Sequence, residues 1–264
     1  MKTLTKFMIG FFAALFAYAS YAAPVEIKFG TGNITVQNDF AAVLNNSGIN
    51  YQQGISGNFY YENSTADSNS TAVTGQYNGT VNSLSFSVGS WFSQSLTNIG
   101  NNGDIRVRDN TGTGNGVLDD IRVQVVCDPA LNNTTRPFCT GNLQNPPSGQ
   151  FNYFFTDPTT SINWVLDSFT LTLTQNPPGA GLPALLSSDA LPAQSQWESS
   201  AWTARQVQLR FNPYGIDASG NAIPNENAAG LITFLAVPEP GSLMLVALAL
   251  LIMGAVRYQK GRKK

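Results

Sequence analysis

The sequence predicts an all-β protein whose body is an antiparallel β-sandwich or a jelly-roll-like fold. The first observation is alternation with a period of two. In "SLSFSV", Leu84, Phe86 and Val88 point one way and the serines the other, and Phe169, Leu171 and Leu173 do the same in "SFTLTLT". Ile121, Val123 and Val125 repeat the pattern in "DIRVQV". Such runs describe a sheet with one dry and one wet face. The second observation is punctuation: "NNSG", "NIGNNGD", "NTGTGNG", "NPPSG" and "QNPPGAG" separate the runs. Gly supplies positive φ, Pro fixes φ and Asn tolerates the left-handed region, so these clusters are turns and loops. The third is that no stretch of the body carries a convincing amphipathic helix; "ALLSSDALPA" supplies at most one helical turn. Many short strands with such punctuation argue for a sandwich or jelly roll.

In chain order the expected strands are 25–30, 33–37, 56–62, 75–81, 83–89, 104–109 and 120–127, followed by 151–156, 163–175, 205–212 and 230–237. The gaps at 128–149 and 176–204 are long enough to cross between sheets.

Both ends of the chain are set apart from this body. Residues 1–22, "MKTLTKFMIGFFAALFAYASYA", open with Lys2 and Lys6, continue in an apolar run and end in the small residues Ser20 and Ala22. That is the shape of a secretory signal peptide, and the run is short for a membrane span. Removing it leaves an ectodomain over 23–236, long enough for one all-β domain. The ectodomain carries seven cations against fifteen carboxylates, a net charge of −8, and has no basic footprint for nucleic acid.

Composition narrows the chemistry. The chain contains no histidine, which removes the commonest general base, Ser-His and Cys-His nucleophile pairs and His-ligated metals. Acids such as Asp157, Asp167, Asp189 and Glu198 form no motif of paired carboxylates. The expectation is a protein that is not an enzyme and needs no cofactor. Three features are weighed as sites. Asp109, Asn115, Asp119 and Asp120 surround the glycine-rich loop of "DIRVRDNTGTGNGVLDD"; oxygen ligands on a loop suit Ca²⁺, while the plainer reading is a solvated loop whose acids balance Arg106, Arg108 and Arg122. Trp197 and Trp202 in "QSQWESSAWTARQ" lie in irregular sequence and are the candidate sugar-stacking platform of a carbohydrate-binding module; Trp164 belongs in the core. Cys127 and Cys139 are read as a disulfide closing "CDPALNNTTRPFC", with two free thiols as the alternative.

The C-terminal stretch 237–264, "VPEPGSLMLVALALLIMGAVRYQKGRKK", has three parts. Pro238, Glu239 and Pro240 form a rigid extended step. Residues 241–256 contain no charge and form a single short transmembrane helix. Arg257, Lys260, Arg262, Lys263 and Lys264 then make a cationic tail that stops transfer and stays in the cytoplasm. In order, spacing and position these parts resemble the PEP-CTERM sorting signal, a family of exported proteins of Gram-negative bacteria. The resemblance covers about the last tenth of the chain. It implies processing at or near the motif by an exosortase, transient anchoring in the inner membrane, and delivery to the cell surface or extracellular space. It also implies a setting of exopolysaccharide or biofilm, with extracellular polysaccharide as a further partner. A plain single-span anchored surface protein is the alternative.

Overall fold

The computed structural model describes residues 24–69, 71, 73–109, 119–127, 151–175, 185–186, 188–214 and 223–237. The expected signal peptide, the apolar span 241–256 and the basic tail lie outside them. Among the described residues no helix is long and apolar enough to cross a membrane. Strand makes up 55 % of the described residues and helix 10 %, which places the body in the all-β class.

Among the described residues twelve strands follow one another: β1 (Val25–Asn33), β2 (Thr35–Val36), β3 (Gly54–Tyr61), β4 (Thr74–Asn78), β5 (Val81–Val88), β6 (Phe92–Thr97), β7 (Gly103–Arg108), β8 (Asp119–Val126), β9 (Phe154–Thr156), β10 (Asn163–Gln175), β11 (Ala204–Tyr214) and β12 (Glu226–Ala236). Helix α1 (Asn38–Asn46) follows β2, and the one-turn helix α2 (Gln194–Trp197) precedes β11. All pairings are antiparallel. The strand order is β4-β7-β8-β10-β11-β12-β1-β3-β5-β6, with β2 on β12 and β9 on β10.

Antiparallel all-β architecture is therefore as expected, but the two separate sheets of a sandwich or jelly roll are not formed. One continuous sheet curls into a half-barrel. The strand that makes this possible is β12. Its first half pairs with β11, from Glu226 opposite Phe211 to Leu231 opposite Gln206. Its second half pairs with β1, from Ile232 opposite Thr31 to Ala236 opposite Lys28. A strand long enough to serve both halves removes the need for a break between sheets. The shift of register at Gly30/Thr31 supplies the local bend that a bulge gives.

The halves face each other across one core. Phe169 of β10 meets Phe29 of β1 and Phe86 of β5, each with ring centroids 5.4 Å apart. A second group joins β6 to β11: Trp91 stacks on Phe211 at 5.6 Å and Phe92 stacks on Tyr153 at 3.9 Å. Offset and tilted contacts of this kind add to the hydrophobic contribution of ring burial. Gly57 makes room in β3. A Cβ there would lie 2.2 Å from the Ser85 carbonyl oxygen and 2.7 Å from Phe86 Cα.

Four local expectations change. "NDFAAVLNN" forms α1, because Phe40 and Leu44, one turn apart, are buried and Phe40 packs on Trp164 at 5.0 Å and Phe211 at 5.4 Å. Asp39 in its first turn is placed favourably for the helix dipole. Strand β6 is not marked by apolar alternation, because the polar Gln94 occupies an inward position. The structure satisfies that amide through Asn152, whose N–H donates to Gln94 Oε1 at 3.1 Å and whose Oδ1 accepts from Nε2 at 2.7 Å. The run 75–81 is broken at Gly79, where φ is 69°, and the chain there passes from one half of the sheet to the other. The described part of "ALLSSDALPA" is non-helical, and the short helix α2 begins just after it.

Candidate functional site

The chain leaves the fold at Val237. The β1–β12 ladder ends at Ala236, so Val237 has no strand partner there for its backbone groups. Two side chains supply the partners. Val237 N–H donates to Glu198 Oε1 at 2.7 Å, and Val237 C=O accepts from Gln194 Nε2 at 2.9 Å. Its side chain is 6 % exposed. The next residue in the sequence is Pro238.

Gln194 and Glu198 sit at either end of α2, and α2 is firmly built. Trp197 is 0 % exposed; its indole N–H donates to Tyr61 Oη at 3.1 Å, and its ring lies 6.0 Å from Phe59 and 5.9 Å from Tyr61. Trp202 donates from Nε1 to the Gln196 carbonyl at 2.7 Å. Gln196 reaches back to accept from the Ala193 N–H at 2.7 Å and donates to the Leu185 carbonyl at 3.2 Å. A helix this short has little stability of its own; the two indoles and the Gln196 amide fix it to the core.

These contacts correct the reading of Trp197 and Trp202 as a sugar platform. Trp202 is 3 % exposed and Trp197 is fully buried, so neither presents a ring face to solvent. Irregular sequence had suggested exposure; here an irregular segment is pinned by its own aromatic residues. Trp164 is buried, as expected.

Three of the four candidate Ca²⁺ ligands, Asp109, Asp119 and Asp120, are among the described residues. Asn115 lies outside the described residues. Asp119 and Asp120 are successive strand residues and project to opposite faces. Asp119 Oδ2 accepts from the N–H groups of Leu185 at 2.8 Å and Leu186 at 3.1 Å. Asp120 is buried on the other face, bonded by Arg108 through Nε at 2.9 Å and through Nη2, with Arg106 at 3.5 Å. Asp109 is nearby, and burial, then the charges of Asp119 and Asp189, push its carboxyl above the usual range. Among the described residues no group of three or more His, Cys, Asp or Glu could hold a metal ion. Asp167, the extra residue where the β10–β11 register shifts, is paired with Arg210, whose Nε donates at 2.7 Å. Cys127 is buried just past β8, and Cys139 lies outside the described residues.

A protein-family model of the PEP-CTERM protein-sorting motif matches residues 236–260. The chain carries a PEP-CTERM sorting motif. This marks the protein for export and for sorting through an exosortase to the cell surface or the extracellular space. No curated protein and no solved structure matches the chain. The PEP-CTERM match begins at Ala236, inside β12, so the first residues of the sorting signal belong to the folded body. The three-part C-terminal pattern found the signal directly. Nothing in the sequence pointed to Gln194 or to a role for Glu198, since a single amide and a single carboxylate near α2 resemble any other surface residues.

Proposed function

We propose that this is an exported, non-enzymatic structural or interaction protein of the extracellular matrix, delivered through its PEP-CTERM signal to a surface rich in exopolysaccharide. Residues 1–22 direct export, and residues 241–256 with the tail 257–264 hold the chain transiently in the inner membrane while the motif is processed. The observation that carries this reading is the sorting motif joined without a linker to a folded β-body. Further support comes from the chemistry of that body. It lacks histidine, and three of its buried acids, Asp119, Asp120 and Asp167, are bonded by backbone amides or arginines. The reading assigns no cofactor. It includes the Cys127–Cys139 disulfide, which suits an oxidising compartment and would contribute ~3 kcal/mol by closing its loop; no free cysteine is found among the described residues.

The test is fractionation of producing cells. The protein should accumulate in the polysaccharide matrix, and a variant with Pro238, Glu239 and Pro240 all changed to Ala should remain with the inner membrane. Equal matrix accumulation of both proteins would overturn the reading.

A further inference from the structure

We propose that Gln194 and Glu198 are positioning residues for processing by the exosortase: they fix the chain at Val237, the residue from which the Pro-Glu-Pro motif runs on. The proposal rests on the sorting reading and adds to it a role for the folded domain.

The end of a strand ordinarily frays, because its last backbone groups have no ladder partner. Val237 lies one residue beyond the ladder, yet both its N–H and its C=O are bound, each by a different side chain, and its own side chain is buried. Both holding residues flank a helix that Trp197, Trp202 and Gln196 fasten to the core. The hold is therefore made by a rigid element. The hold falls on the residue before a proline, whose backbone is already biased away from the helical region.

Chain length makes the hold consequential. Pro240 is three residues past Val237, which at full extension is a reach of about 10 Å. An enzyme acting anywhere in the motif therefore works within that reach of Val237. A motif that starts from a fixed residue loses less freedom on binding than one on a loose tether. Releasing Val237 would restore that freedom and slow capture. A hydrogen bond is worth a factor of at least about two in an equilibrium, and more where the acceptor is a carboxylate, so loss of both should slow processing by about fivefold or more.

The experiment follows conversion of full-length precursor to processed protein by pulse–chase in cells that contain the exosortase. The double variant Gln194→Ala/Glu198→Ala should be converted about fivefold or more slowly. Glu198→Gln keeps an oxygen acceptor for the Val237 N–H and should be converted at close to the wild-type rate. A second perturbation leaves the hold and the fold alone: a Gly-Ser insertion between Val237 and Pro238 should also slow conversion. Wild-type or faster conversion of both the double variant and the insertion would overturn the proposal. The triple replacement of Pro238, Glu239 and Pro240 by Ala is the control. If that protein is still processed, the sorting reading fails, and the failure is distinct from failure of the positioning role.

Discussion

Replacing Trp197 by Ala tests whether α2 is part of the core or an exposed surface feature. Trp197 is fully buried, lies against Phe59 and Tyr61, and donates its N–H to Tyr61 Oη. Truncating a buried indole costs about 3–5 kcal/mol, from lost transfer energy and the cavity left behind. For a body of this size each kcal/mol moves the melting temperature by about 2–4 °C, so Trp197→Ala should lower it by about 6–20 °C. Trp197→Phe keeps a ring and loses the indole N–H. The Tyr61 hydroxyl then retains only its longer bond to the Pro192 carbonyl, at 3.4 Å. That variant should lose about 1 kcal/mol for the missing hydrogen bond, with a further loss for the smaller ring. Thermal melts and urea unfolding of the exported protein, read by tryptophan-independent circular dichroism, give both values. If Trp197→Ala melted within about 2 °C of the wild type, the placement of this indole in the core, and the anchoring of α2 that depends on it, would be refuted.

Other consequences are equally open to measurement. Gly57→Ala should destabilise strongly, since its Cβ would meet the backbone of Ser85 and Phe86; a wild-type urea midpoint would contradict the close approach of β3 and β5. Glu226 is buried with Oε2 unpartnered, and burial followed by the charge of Asp39 raises its carboxyl above 4.5. A raised folded-state value means that its favourable contribution is full below the unfolded value and is lost as pH rises through the folded one. Glu226→Gln should therefore gain on the wild type as pH rises from about 4 towards neutrality; parallel stability curves would contradict this. Asp120→Ala removes the shared partner of Arg106 and Arg108 and should cost about 1–3 kcal/mol at neutral pH, checked by the same unfolding assay. Calorimetric titration with Ca²⁺ should give no heat that Asp119→Ala or Asp120→Ala abolishes, because those carboxylates already serve Leu185, Leu186 and the arginines.

The parts of the fold that were legible are those where local pattern and tertiary role coincide. Alternating apolar residues in β5 and β8 gave the strands and their inward faces, because one face of each is dry along most of its length; in β10 the same alternation gave the strand although both of its faces are buried over most of its length. What stayed hidden depended on partners far away in sequence. Gln94 reads as a polar break until Asn152 satisfies it, and Phe40 and Leu44 form a helix face only because Trp164 and Phe211 wait to cover it. The continuity of the sheet turns on the division of β12 between two neighbours, and no periodicity within eleven residues reveals a division of pairing. The sorting signal was legible for the opposite reason: an extended step, an apolar run and a cationic tail act in order along the chain and need no fold to be recognised. The hold on Val237 joins the two cases, since Val237 lies in the signal while the side chains that bind it, the Gln194 donor and the Glu198 acceptor, lie about forty residues earlier, at a helix with no sequence signature.

The central claim is that this β-body is exported and then processed through the motif at Pro238–Pro240. Intact-mass analysis of the protein recovered from the cell exterior, with and without the exosortase, tests it most directly. The account predicts a chain that begins at Ala23 and lacks residues 241–264 when the exosortase is present, and retention of that segment when it is absent. An exterior protein that still carries the apolar span and basic tail in exosortase-containing cells would contradict it.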